Sequence, residues 1–233
     1  MDLKLYTYNI KGFKPRNFDF VLKIFKDSDI LLIQETWLYN YEINIIQQIL
    51  PEANIFMKSS MSEEDIDRYG KPFGGCAVAI RNSLNFNTVA VDTISNRLLI
   101  LRMTNDRGKY LICNVYMPVN DGSVTSYEEF GDILSEMSSI MAIYDDYQPI
   151  IGGDFNVDFK THSFNLTLLK NFIEDEGLFL GNSFSNNPNS FTFESAMGNR
   201  SYIDNFLLSS NFVDRVLKCS IVIDGLNLSD HNP

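Results

Sequence analysis

Short apolar runs that end in polar clusters constrain this chain more than any other feature. Ile30 to Gln34 is one such run, and it leads through Gln34 into Glu35-Thr36-Trp37. Pro149 to Gly152 runs into Gly153-Asp154-Phe155-Asn156, and Ser229-Asp230-His231-Asn232-Pro233 lies beyond the last apolar stretch. Runs this short, bounded by turn-forming residues, read as buried strands rather than helices. The clusters are far apart in sequence, so only a fold that gathers strand ends at one edge can use them together.

The rest of the chain fits such a fold. Leu3 to Asn9 alternates as a half-buried strand, and Asn17 to Phe25 has helical spacing at Phe18, Val21, Leu22 and Phe25. Tyr41 to Leu50 reads as a helix stopped by Pro51. Strands are expected over Cys76 to Ile80, Val89 to Val91, Leu98 to Met103 and Tyr110 to Tyr116. Further strands are expected over Pro149 to Gly152, Ser190 to Phe193, Tyr202 to Leu208 and Val216 to Ile223. Helices are expected over Ser126 to Ile143 and Asn165 to Ile173. Many strands with interspersed helices predict an α/β sandwich: two sheets face to face, with helices on the outer faces. At 233 residues and 45% hydrophobic content, one large domain with a substantial core is expected.

Charge and composition exclude some classes. A net charge of -11 is wrong for a generic nucleic-acid coat, although it leaves room for an enzyme that grips phosphates locally. Cys76, Cys113 and Cys219 have no metal-site spacing and fit core thiols in a reducing compartment. No apolar run reaches bilayer length, and the N-terminus lacks a signal-peptide pattern. The run Ser62-Glu63-Glu64-Asp65-Ile66-Asp67 reads as a solvated loop.

Acidic, amide and imidazole groups at strand ends suit divalent-metal-assisted cleavage of a phosphodiester. Each alone reads as a turn or cap residue; their joint occurrence changes the reading. Seven stretches carry a resemblance: Tyr8-Asn9, Gln34-Glu35-Thr36, Asn114-Val115-Tyr116-Met117-Pro118, Gly153-Asp154-Phe155-Asn156, Ser190-Phe191-Thr192-Phe193, Tyr202-Ile203-Asp204 and Ser229-Asp230-His231. In this order they resemble the endonuclease/exonuclease/phosphatase superfamily over essentially the whole chain. Gln34 to Leu38, Gly74 to Ile80 and Ile151 to Asn156 are most similar to the endonuclease domain of LINE-type (non-LTR) retrotransposons. The resemblance implies a four-layered α/β sandwich with two mainly antiparallel sheets. It also implies a single domain over 1–233, cut short before its last strand and part of a longer polyprotein.

The same resemblance implies Mg2+, with Mn2+ as a substitute, held by Glu35 with help from Asn9 and Asp230. Hard carboxylate oxygens suit such a cation. Asp154 would orient or deprotonate the attacking water, and Asn156 would hold that water or a phosphate oxygen. His231 would donate to a phosphate oxygen, Asp204 would fix its tautomer, and Tyr116 would contact the phosphate or leaving group. Thr192 is a candidate phosphate contact. The loop Ser195 to Ser201, with Met197 and Arg200, would enter a minor groove. Lys11, Lys14 and Arg16 form a basic cluster for a phosphate backbone.

Three departures matter. Lys11 stands where abasic-site repair members carry Asp, and Ser201 where they carry Trp. Val119 separates Pro118 from Asn120, where many members have Asn directly. Efficient abasic cleavage is therefore not expected. The expected function is nicking of one strand of target DNA to prime reverse transcription. Double-stranded DNA would be the substrate, with a reverse transcriptase in the same polyprotein and a monomeric isolated domain acting in the nucleus. Two readings stay open beside it: a phosphodiesterase or phosphatase on lipid headgroups, nucleotides or RNA, and a catalytically silent binding module.

Overall fold

The computed structural model describes residues 3–61, 65, 71–106, 108–181 and 191–233. Most of the acidic run from Ser62 and the start of the stretch at Ser190 lie outside the described residues.

Two sheets carry the chain. The first is ordered β1 (Leu5–Asn9), β2 (Ile30–Gln34), β4 (Cys76–Arg81) and β3 (Ala53–Lys58). The second is ordered β5 (Asn87–Val91), β6 (Leu98–Asn105), β7 (Gly108–Tyr116), β8 (Gln148–Asp154), β12 (Asp204–Ser209) and β9 (Leu178–Leu180). Pairing is antiparallel except at β1–β2 and β7–β8. Those two parallel pairs point their C-terminal ends at one edge of the sandwich, which creates the site. A small hairpin, β10 (Phe193–Glu194) and β11 (Arg200–Ser201), stands apart from both sheets.

Three apolar layers follow from the two-residue period of the strands. Ile30 and Leu32 of β2 join Val78, Leu99, Leu101 and Ile112 between the sheets. Leu31 and Ile33, their alternating neighbours, face outward onto α1 (Phe18–Asp27) and α2 (Ile43–Ile49), whose Phe20, Ile24 and Ile46 cover them. On the far side, α3 (Val124–Ile143) and α4 (Phe164–Asp175) lay Phe130, Met137, Leu169 and Phe172 onto Ile100, Cys113 and Ile151. Helix, sheet, sheet, helix is the four-layered sandwich that the sequence predicts. Ser123 and Ser163 cap α3 and α4 by accepting from the N–H of Ser126 and Leu166, both at 3.1 Å. The Cys76 and Cys113 thiols are buried in these layers, and no described cysteine is bridged.

Several expectations need correction. Val216 to Ile223 forms no strand; it follows a 3-10 segment over Ser210–Arg215 as half-exposed coil. Its apolar alternation supplies a face, but a strand also needs a ladder partner; instead Val216 N–H bonds back to the Phe212 carbonyl at 3.1 Å and Val222 N–H to the Pro233 carbonyl at 2.7 Å. Conversely, β3 and β9 were not legible as strands. Asp154 closes β8 instead of following it, and Asp204 opens β12.

Candidate active site

The strand ends place the site. Asn9 is the last residue of β1 and lies beside Gln34, the last of β2. Tyr116 ends β7 beside Asp154, and Asp204 faces Asp154 from the antiparallel β12. Close approach of β8 to β7 demands Gly153: a Cβ there would sit 1.9 Å from the Val115 carbonyl oxygen.

Asn9 joins the two halves. Its side-chain amide donates to Glu35 Oε1 and to Asp154 Oδ2, each at 2.9 Å. Its side-chain oxygen Oδ1 accepts from the Lys11 N–H at 3.1 Å. Glu35 is held on its other oxygen by Trp37 Nε1–H at 3.0 Å, and the Lys14 ammonium lies 4.3 Å above the Trp37 ring. Lys11, Glu35, Trp37 and Asn156 all adopt positive φ between 49° and 54°. Such backbone is uncommon outside glycine, and its clustering at one cleft marks a functional site.

Asp154 is buried, and its second oxygen accepts from the Asn156 N–H at 2.9 Å; the Asn156 amide donates to the Met117 carbonyl at 2.8 Å. His231 Nδ1 lies 3.1 and 2.9 Å from the two Asp204 oxygens. Its Nε2 points to Asp154 Oδ2 at 3.9 Å and Asp230 Oδ1 at 4.0 Å. The segment carrying Asp230 and His231 is tied to β1: Ser229 Oγ donates to the Asn9 carbonyl at 2.7 Å, and Tyr8 donates to Asn227 Oδ1 at 2.7 Å.

Electrostatics follow from this crowding. Burial, then the Asp204 carboxylate, pushes Asp154 up to about 7. Burial pulls the His231 pKa down, but Asp204, Asp154 and Asp230 outweigh it and raise it to about 9, so the ring carries a proton at neutral pH. Burial, and next Glu35 and Asp154, raises the Tyr116 hydroxyl, which therefore stays a proton donor.

Asp154, Asp204 and His231 bring potential ligand atoms within 4.8 Å of one another. A charged imidazole with Nδ1 committed to Asp204 is nevertheless a poor cation ligand. The oxygen set Glu35, Asn9, Asp154 and Asp230 fits a hard cation better. Glu35 keeps lone-pair capacity beyond its two hydrogen bonds, and Asp230 Oδ1 is buried with no partner.

The expected nucleic-acid contacts are placed unevenly. Thr192 is 3% exposed, and its hydroxyl oxygen accepts from the N–H of Ile203 and Asp204, both at 3.0 Å. It fixes the start of β12 from a buried position. Arg200 pairs with Glu194 at 2.9 Å and lies 4.2 Å over the Phe191 ring. Met197, 88% exposed, forms the hairpin tip. Lys11, Lys14 and Arg16 are exposed near Asn9, and Lys11 Nζ pairs with Asp230 Oδ2.

Sequence reasoning assigned no role to Trp37, Ser229, Gln34 or Asn114. Gln34 donates to Thr7 Oγ1 at 3.0 Å and Asn114 Oδ1 at 2.7 Å, while the Asn114 amide donates to the Ile33 and Ala77 carbonyls. This network locks the two sheets together just below the site. The available signal was an amide inside each otherwise apolar strand.

Residues 6–231 match the Endonuclease/Exonuclease/phosphatase family, and the chain belongs to it. It is an enzyme of that family, a metal-dependent phosphodiester hydrolase. Among solved structures, it resembles the endonuclease domain of TRAS1, a telomere-specific non-LTR retrotransposon, at 16% identity and TM-score 0.71. That match covers 100% of this chain and 95% of the other. It also resembles the AP endonuclease LMAP from Leishmania major, at 14% identity and TM-score 0.78, covering 99% and 85%. The 3'-5' exonuclease NExo from Neisseria meningitidis matches at 16% identity and TM-score 0.72, covering 99% and 97%. Identities this low establish a shared fold. A search of curated proteins finds no match. No helix among the described residues is long and apolar enough to cross a membrane.

Proposed function

We propose that this enzyme is a Mg2+-dependent DNA endonuclease that nicks one strand of duplex DNA and leaves a 3′ hydroxyl to prime reverse transcription. The observation that carries this reading is the single cleft in which Asn9, Glu35, Asp154, Asp204, Asp230 and His231 meet at the ends of two parallel strand pairs. Similarity to the TRAS1 endonuclease domain supports the retrotransposon context. In that context a reverse transcriptase lies in the same polyprotein, the isolated domain is a monomer, and the site of action is the nucleus.

The residues divide the work. A divalent cation held by Glu35 with Asn9, and by Asp230 where its oxygens are free, would neutralise phosphate charge. Asp154, fixed by Asn9 and the Asn156 N–H, takes a proton from the attacking water. Asn156 stays beside that water. The charged His231 presents Nε2–H to a phosphate oxygen, with Asp204 fixing its orientation. Tyr116 offers its hydroxyl at the phosphate or leaving oxygen.

Supercoiled plasmid tests the reading. The wild type converts it to nicked circles with Mg2+ and not with EDTA, and a polymerase extends the nicks. Glu35→Gln raises the Mg2+ concentration needed for half-maximal nicking, because an amide oxygen replaces a charged ligand. An unchanged Mg2+ response removes Glu35 from the metal site. The net charge of -11 favours a second reading, in which the same core hydrolyses lipid headgroups, nucleotides or RNA. Rapid turnover of those compounds with an intact plasmid selects it.

A further inference from the structure

Four carboxylates converge on the cleft: Glu35, Asp154, Asp204 and Asp230. Asp204 gives both oxygens to the His231 ring. Glu35 Oε1 and Asp154 Oδ2 share one donor, the Asn9 amide. Asp230 is different. Its Oδ2 holds the ammonium of Lys11, while its Oδ1 is buried, unpartnered and 4.0 Å from His231 Nε2. Lys11 is built into this place. Its φ is 54°, and its backbone N–H donates to Asn9 Oδ1, so the turn after β1 commits the residue to the cleft.

Resting on the metal-dependent reading above, we propose that the Lys11 ammonium substitutes for a second divalent cation beside Asp230. The enzyme then works with one metal ion. Charge balance carries the argument. His231 balances the charge of Asp204 and Lys11 that of Asp230, so the charges of Glu35 and Asp154 remain and match one divalent cation, which can still draw on the free Asp230 Oδ1. A second ion at Asp230 would have to displace an ammonium already paired there, against direct repulsion. Lys11 is also a positioning cation for the substrate. A fixed ammonium at the cleft edge attracts a phosphate without the geometric demands of a hydrated ion.

Metal stoichiometry tests this without any turnover. Mn2+ is titrated into purified protein at an ionic strength that strips surface-bound ions, and free Mn2+ is read by electron paramagnetic resonance. The wild type is expected to bind one equivalent. Lys11→Asp, which trades the cation for a ligand, is expected to bind two. Lys11→Gln provides a neutral control if the Asp variant does not fold, and its second equivalent should bind at least tenfold more tightly than any in the wild type. Two equivalents in the wild type overturn the proposal. A folded Lys11→Asp protein that binds only one equivalent also overturns it, as does Lys11→Gln without the tenfold gain. Absence of any bound Mn2+ in the wild type overturns the metal-dependent reading itself.

Discussion

At the residue scale, His231 and Asp154 are set by the same neighbour. Asp204 is the largest influence raising the His231 pKa to about 9, and the second, after burial, raising Asp154 to about 7. The sign for stability is definite. A histidine raised from 6.5 to about 9 contributes stability that is full below pH 6.5 and lost as pH rises through about 9. The proposed reaction needs Asp154 ionised and His231 charged, so the rate should rise through the first ionisation and fall through the second. Asp204→Asn removes a charge that raises both values, and both limbs of the pH–rate profile should move to lower pH. Limbs that stay in place separate Asp204 from the titrating pair. Trp37 acts at this scale too, since its indole N–H fixes Glu35 while Gly12 lies against its ring; a Cβ on Gly12 would approach that ring to 2.5 Å.

At the element scale, the hairpin from β10 to β11 is the least committed part of the site. Ser195 and Asn199 close its turn, Arg200 is paired with Glu194, and Met197 projects alone from the tip. Its base is different: Thr192 anchors Asp204, and the Phe193 ring lies 4.9 Å from the His231 ring. Under the proposed DNA-nicking activity, the tip would set where DNA is gripped and the base would support the chemistry. Replacing residues 196–200 with a Gly-rich turn should redistribute nicks along a long duplex while retaining most of the catalytic rate, because a wedge at a flexible base step reads deformability. Mapping nick positions at one fixed salt concentration checks this; coincident patterns reduce the loop to a connector. Elements also show what was legible in the sequence. Strands that end in a polar group, such as β1, β2 and β8, could be read because apolar run and functional residue are adjacent. The Val216 to Ile223 stretch misled because alternation says nothing about a ladder partner. The Gln34–Asn114 lock and the Ser229 tie join residues distant in sequence, so no local pattern announces them.

At the scale of the whole molecule, the proposed activity requires an acidic protein to act on an acidic polymer by concentrating its cations. A net charge of -11 coexists with Lys11, Lys14 and Arg16 beside Asn9. Association with DNA should weaken steeply with salt, as phosphate contacts do. Lys11 and Ser201 distinguish the cleft from that expected of abasic-site repair members. Matched duplexes with and without one abasic site should be cut at comparable rates, and a preference of several hundredfold, above the roughly 10–200-fold that one small pocket contact supplies, would assign the enzyme to repair instead. In the proposed reaction Asp154 and His231, 3.9 Å apart, act together on one phosphodiester in a single cleft. Single-turnover cleavage of one intact, labelled duplex by wild type, Asp154→Ala and His231→Ala, each with its thermal melt, measures this most directly. Loss of roughly 10²–10⁴-fold in rate in each variant with the melt preserved is the predicted result; near-normal cleavage by either folded variant contradicts it.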